Sequence, residues 1–140
     1  MRLLRESLSL LLLAALPALL CLWLHPRKPV LSWSQPDASE VELSEVAEWK
    51  HPFLWVDARS VAEYDQRHIP GAVSLNEDAW ENLIPDFLTA WHPGLPIVVY
   101  CNSEKCDASK EVARRLERDF NLSQVYVLKG GWSAWQKSHP

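Results

Sequence analysis

The chain has 140 residues and a formal net charge of -4 at pH 7. This acidic balance gives no basis for nucleic-acid binding, because that function uses a basic surface to contact phosphates. Hydrophobic residues make up 48% of the chain, and part of them is concentrated at one end.

The first predicted element is an apolar segment over residues 8–24, LSLLLLAALPALLCLWL. It is apolar except for Ser9, and as a helix it would span roughly 25 Å, slightly less than the hydrocarbon core of a typical bilayer. We interpret residues 1–24 as a signal anchor that forms one transmembrane helix, with a cleaved secretory signal as the alternative. The anchor is favoured because no small-x-small cleavage site follows Leu24.

Residues 25–38 contain three prolines and little periodicity, which is typical of a linker. The remaining residues, 39–140, are expected to form one domain. A basic N-terminus usually stays on the cytoplasmic side, so we expect a single-pass membrane protein with this domain outside the cytoplasm.

Strands and helices are expected to alternate through the first half of the domain. In chain order, the predicted elements are a short strand leading into a helix over 41–49, a buried strand over 53–57, a helix over 60–66, and a Pro-Gly turn with a short strand over 68–75. Ser44 and Ser60 are the expected N-caps of the two helices, because a serine oxygen can accept from a free N–H of the first turn.

The second half of the domain continues the alternation. It holds a helical run over 77–91, a buried strand over 96–100, an amphipathic helix over 107–120, a strand over 124–128, and a glycine turn with a closing helix over 129–136. Pro85 is expected to interrupt the first helical run. The predicted buried face of the amphipathic helix consists of Val112, Ala113, Leu116 and Phe120.

Uninterrupted apolar strands that alternate with helices predict an α/β domain. Its central sheet would be mostly parallel, with helices on both faces. Ligands of such sheets bind beyond the carboxyl ends of the strands. Cys101 lies at that position, directly after the strand PIVVY.

Cys101 is a candidate nucleophile because of the turn in which it lies. A thiol reacts as the thiolate, and its ordinary pKa of about 8.5 must be lowered for reaction near neutral pH. Free N–H groups and the helix dipole at a strand-to-helix turn favour an anion, so no general base is needed. The alternative is a buried, inert cysteine that only ends a strand, and position by itself leaves both interpretations open.

The sequence resembles the rhodanese-like domains over residues 40–136. The matching stretches are VDARSVAEYDQRHIPGAVSL (56–75), VVYC (98–101) and VYVLKGGWSAW (125–135), in the family's order and spacing. The resemblance implies a rhodanese-like α/β fold. It also implies that Cys101 carries sulfane sulfur as a persulfide, taken from a small sulfur donor and passed to a thiol or acceptor protein, without a cofactor.

The resemblance further implies roles for residues around Cys101. The loop after it would bind substrate largely through its backbone, and its members are Asn102, Ser103, Glu104, Lys105, Cys106 and Asp107. Asp57 and Arg59 would support the site, and Arg59 would form an ion pair with Glu63. Structural turns are expected at His68, Pro70, Gly71, Gly130 and Gly131.

The loop departs from the family pattern of a cysteine, four residues and an arginine. Its sixth position is Cys106, and the charges of Glu104 and Lys105 cancel. Because anionic donors favour arginine or lysine, thiosulfate is disfavoured as the main donor, and a phosphatase activity is less supported still.

Cys106 has several possible roles. It could resolve a persulfide or sulfenic acid on Cys101, form a static disulfide with it, or be a small buried residue. A Cys-x4-Cys metal site lacks further ligands. The predicted function is therefore a membrane-anchored sulfurtransferase, with a catalytically weak binding or redox-sensing module as the alternative.

Overall fold

A parallel sheet forms the centre of the fold, with its strands in the order β1-β5-β4-β2-β3. The structure is a computed structural model that describes residues 38–103 and 107–139. Every neighbouring pair of strands in the sheet is parallel. The strands are β1 (Ser39–Val41), β2 (Leu54–Asp57), β3 (Val73–Ser74), β4 (Ile97–Tyr100) and β5 (Val125–Leu128).

Helices connect these strands and cover both faces of the sheet. They are α1 (Leu43–Ala47), α2 (Val61–Gln66), α3 (Trp80–Ala90), α4 (Ala108–Phe120) and α5 (Gly131–Ser138). Successive side chains of a strand point to opposite faces, so β4 contributes to two separate apolar clusters. Val99 packs in the cluster with α3 and α4, whereas Val98 and Tyr100 pack in the cluster with α1 and α5. The predicted α/β fold is confirmed.

The elements lie where the sequence patterns predicted them, but two local predictions are wrong. Ser44 does not cap α1, because the helix begins at Leu43 and its N-cap is Glu42, two residues before the predicted one. Pro85 does not interrupt α3, which continues through it to Ala90. A proline removes only one N–H donor from the helix. The helix continues past it because Phe87, two residues later, is buried in the apolar cluster against the sheet. The Ser60 cap of α2 is confirmed.

The predicted anchor lies outside the described residues, as does nearly all of the predicted linker. In the part of the chain that the structure describes, no helix has the length and apolarity needed to cross a bilayer. All of the described residues belong to one compact unit, Pro36–Pro140.

Candidate active site

Cys101 directly follows β4, a central strand of the sheet. Tyr100, the last residue of β4, is in register with Asp57, the last residue of β2. The carboxyl ends of these two strands therefore meet beside Cys101. Cys101 is only 2% exposed, so it is buried at this end of the sheet.

The first turn of α5 holds the start of the loop. The N–H of Trp132 donates to the carbonyl oxygen of Cys101 at 2.7 Å. The N–H and the hydroxyl of Ser133 both donate to the carbonyl oxygen of Asn102, at 3.1 and 2.9 Å. Because a trans peptide directs its N–H opposite to its C=O, the N–H groups of Asn102 and Ser103 point away from α5. The helix thus fixes the orientation of the loop backbone next to Cys101.

Gly131 allows this close approach of α5 to the loop. Its φ is +51°, a conformation that residues with a Cβ rarely adopt. A Cβ at this position would collide with the carbonyl oxygen of Cys101 and lie 3.3 Å from the Ser103 nitrogen. The predicted glycine turn is therefore part of the site as well as the start of a helix.

Ser109, which was not among the predicted site residues, contacts the Cys101 sulfur. Its hydroxyl lies 3.4 Å from the sulfur, oriented to donate, and the residue is 2% exposed. Ser109 shares the buried face of α4 with Val112, Ala113 and Leu116. A hydroxyl residue on the apolar face of an amphipathic helix, in its first turn and eight residues after a candidate nucleophile, is the signal that could have identified it.

The Cys101 sulfur takes part in a disulfide bond in this structure. The sulfur also lies 3.5 Å from the carbonyl oxygen of Ser103. A sulfur in a disulfide is not a nucleophile, so reaction at Cys101 requires prior reduction.

Asp57 and Arg59 form a buried ion pair beneath the loop. Their closest contact, from Nη2 to Oδ2, is 2.6 Å, and the side chains are 0% and 4% exposed. Burial acts to lower the pKa of Arg59, but the hydrogen bond and the charge of Asp57 outweigh it and raise that pKa. The Arg59 guanidinium also lies over the Trp132 ring, 4.5 Å from its centre, and so links β2 to α5.

Tyr100 extends this network to the turn before β3. Its hydroxyl donates to Oδ2 of Asp57 at 2.7 Å and accepts from the N–H of Ile69 at 3.1 Å. Burial raises the pKa of Tyr100, and Asp57 adds to the effect. The phenol therefore stays protonated and acts as a structural donor, which holds β4 and Cys101 in place.

The predicted ion pair between Arg59 and Glu63 is wrong. Arg59 is in direct contact with Asp57, because both leave the end of β2 only two residues apart. The Glu63 carboxylate turns instead toward the loop, where it accepts from Nδ2 of Asn102 at 2.8 Å.

The structure brings together only some of the predicted loop residues. Asn102 and Ser103 follow Cys101 and are exposed, and Asp107 is the exposed residue before α4. Glu104, Lys105 and Cys106 lie outside the described residues. No group of three His, Cys, Asp or Glu side chains that could hold a metal occurs in 38–103 or 107–139.

A model of the rhodanese-like domain family matches residues 40–138. A thiosulfate sulfurtransferase GlpE of Pseudomonas fluorescens is 32% identical over 88 residues, which cover 61% of this chain and 72% of that protein. An M-phase inducer phosphatase of Emericella nidulans is 26% identical over 119 residues. The chain spans about a fifth of the length of that phosphatase, 21%.

Solved structures show the same fold. A thiosulfate sulfurtransferase from Pseudomonas aeruginosa superposes with a TM-score of 0.56 at 25% identity, covering 75% of this chain and 19% of that one. The solution structure of a rhodanese-like domain from Anabaena gives a TM-score of 0.55 at 23% identity, covering 71% and 74%.

Proposed function

Since this chain belongs to the rhodanese-like domain family, we propose that it is a sulfurtransferase that carries sulfane sulfur on Cys101. The observation that carries the proposal is a buried cysteine at the carboxyl end of a central parallel strand, with a hydroxyl donor beside its sulfur. Relatives about 30% identical are named thiosulfate sulfurtransferases, which supports the same reaction class.

The reaction has two steps, neither of which needs an external oxidant. The Cys101 thiolate attacks the outer sulfur of a donor, the donor's S–S bond breaks, and its electron pair leaves on the donor's remaining sulfur. The outer sulfur of the Cys101 persulfide is then attacked by an acceptor thiolate. The S–S bond to Cys101 breaks, the acceptor becomes a persulfide, and the Cys101 thiolate is restored.

The surrounding residues have separate roles in this scheme. Ser109 donates to the sulfur when it is anionic, which favours the thiolate. Asp57 and Arg59 support the floor of the site without touching the reacting sulfur. In the loop, Asn102, Ser103 and Asp107, with Glu104, Lys105 and Cys106, would surround the outer sulfur, and free backbone N–H groups are the donors suited to it.

Sulfur loading of the reduced chain tests the proposal. We expect the wild-type protein, treated with a phosphine and then with a persulfide donor, to gain the mass of one sulfur atom on the peptide that contains Cys101. Cys101→Ser should gain none and keep its fold, because serine is similar in size but cannot hold sulfane sulfur. Ser103→Ala is the matched control. Sulfur found on Cys106 in the Cys101→Ser variant would contradict the assignment.

A redox-sensing module is the second candidate, and the disulfide at Cys101 favours it. In this scheme peroxide oxidises the Cys101 thiolate to a sulfenic acid. The Cys106 thiol then displaces water to form a disulfide, which a dithiol reopens. The wild-type protein should lose sulfur loading on Cys101 under mild peroxide and recover it with the dithiol. Cys106→Ala should instead pass to over-oxidised Cys101, so identical irreversible loss in both proteins would remove Cys106 from the scheme.

A further inference from the structure

Glu63 is hydrogen-bonded to Asn102, the residue that follows Cys101. Its Oε2 accepts from the hydroxyl and the N–H of Ser60, at 2.6 and 3.1 Å, in the capping box of α2. Its Oε1 accepts from Nδ2 of Asn102 at 2.8 Å. These bonds connect two elements far apart in the chain and keep the carboxylate next to the loop.

Arg59 attracts the Glu63 charge through space but does not form an ion pair with it. Among the ion pairs between described residues, none includes Glu63, because Arg59 is paired with Asp57. The hydrogen bond from Ser60, and then that from Asn102, lowers the pKa of Glu63 below its usual range. Asp107, at the other end of the loop, carries the same sign of charge.

We propose that Glu63 is a specificity-determining residue that makes Cys101 prefer sulfur donors bearing a positive charge over anionic donors. This inference rests on the proposed sulfurtransferase function. A donor must bring its outer sulfur to Cys101 and therefore approach the Asn102–Glu63 pair. A negative group on the donor is repelled there, while an ammonium group is attracted.

The preferred class is the hydropersulfide of an aminothiol. Cys101 attacks the outer sulfur, the S–S bond breaks, and the aminothiol leaves as a thiolate whose charge is balanced by its own ammonium group. Thiosulfate would instead bring two negative charges to the same place and release sulfite. Cys101 attacks the outer sulfur of both donors, but one releases a thiolate and the other sulfite, so the effect of charge is tested with two donors that both release a thiolate.

Glu63→Gln isolates this charge. Glutamine keeps one acceptor oxygen, which can complete the capping box with Ser60. Its NH2 group then faces Asn102, whose side-chain amide can turn its oxygen to accept from it. The matched donors are the hydropersulfides of 2-aminoethanethiol and 3-mercaptopropionate, which have the same chain length and opposite charges. Glu48→Gln, at the exposed end of α1, removes the same formal charge elsewhere and is the control.

The measured quantity is the ratio of kcat/KM for the cationic donor to that for the anionic donor, with each protein first reduced. Wild type and Glu48→Gln should favour the cation, and the ratio should fall by about tenfold in Glu63→Gln, as expected for about 1.4 kcal/mol of electrostatic energy. Any change in thiolate pKa affects both donors equally and cancels in the ratio.

The outcomes separate this inference from the function on which it rests. An unchanged ratio in Glu63→Gln, with both donors still loading Cys101, overturns the role of Glu63 and leaves the sulfurtransferase intact. No loading by either donor in any variant overturns the sulfurtransferase. If Glu63→Gln does not fold, the wild-type ratio should fall as salt rises, and a salt-independent ratio overturns the inference.

Discussion

At the scale of single residues, the chemistry of the site depends on what surrounds one sulfur atom. Cys101 is buried at the end of β4, and the Ser109 hydroxyl lies 3.4 Å from its sulfur. A hydrogen bond to an ionised group contributes about 1.5–3 kcal/mol. In the reduced protein this bond favours the thiolate over the thiol, which is the form required for sulfur transfer.

Ser109→Ala should therefore make Cys101 a weaker acid. We expect the pH profile of iodoacetamide alkylation to shift upward by about one pH unit, because one unit corresponds to about 1.4 kcal/mol. Ser109→Thr should retain the wild-type profile, and so should Ser103→Ala, since Ser103 approaches the sulfur with its carbonyl only. A Ser109→Ala profile that overlays the wild type would show that the contact is only packing.

The buried pair of Asp57 and Arg59 contributes to stability, not to the reaction. Asp57→Asn should destabilise the domain by about 3–5 kcal/mol, because it leaves the Arg59 charge buried without a counter-charge. Tyr100→Phe removes one hydroxyl from the same network and should cost about 1–3 kcal/mol. Urea denaturation of both variants measures the two effects, and an equal loss in both would contradict a dominant role for the ion pair.

At the scale of elements, α5 positions the loop as much as β4 does. Its first N–H groups need partners outside the helix, and they find the carbonyl oxygens of Cys101 and Asn102. The Ser133 hydroxyl strengthens the second of these contacts. One helix N-terminus thus determines how the peptides next to the nucleophile are oriented.

Gly131→Ala should damage the site through this contact. The added Cβ would collide with the Cys101 carbonyl, so α5 and the loop must separate. We expect a loss of sulfur loading of at least tenfold in protein that still folds. Gly94→Ala is the matched control, because Gly94 also has a positive φ, +87°, but nothing lies within 4 Å of its Cβ position. Equal losses in both variants would indicate backbone strain alone.

At the scale of the whole molecule, the sheet topology places the site at the carboxyl ends of the parallel strands, and the apolar segment 8–24 precedes this domain in the chain. We propose that this segment anchors the chain in a membrane, with the domain outside the cytoplasm. It consists of 17 residues with one polar side chain, Ser9, and a run of this kind inserts into a bilayer more readily than it adheres to its surface.

The full chain should therefore fractionate with membranes and resist extraction by high salt and by alkali. A chain that begins at residue 39 should be released to the soluble fraction, since it lacks the apolar run. Fractionation followed by mass measurement of both chains tests this. A shortened form of the full chain in the soluble exported fraction would instead show that the segment is a cleaved signal.

The sequence by itself determined the family, the parallel α/β fold and the place of Cys101, because these depend on local features. Continuous apolar runs mark strands buried on both faces, helical periodicity marks α4, and the motif stretches carry the family's spacing. Each of these features can be recognised within one short stretch of the sequence. The Ser60 cap was predictable for the same reason, since its partner Glu63 is three residues away.

Only the tertiary structure decided which side chains meet across elements. Glu63 binds Asn102 across 39 positions of sequence, Ser109 turns its hydroxyl to the Cys101 sulfur, and α5 holds the loop carbonyls. The Arg59–Asp57 pair is an exception, because its members are only two residues apart, and it was not predicted because the family resemblance pointed to Glu63. The other contacts join segments that are further apart in the chain. Such contacts depend on how the sheet folds distant segments together, and a sequence pattern records only the periodicity of each segment.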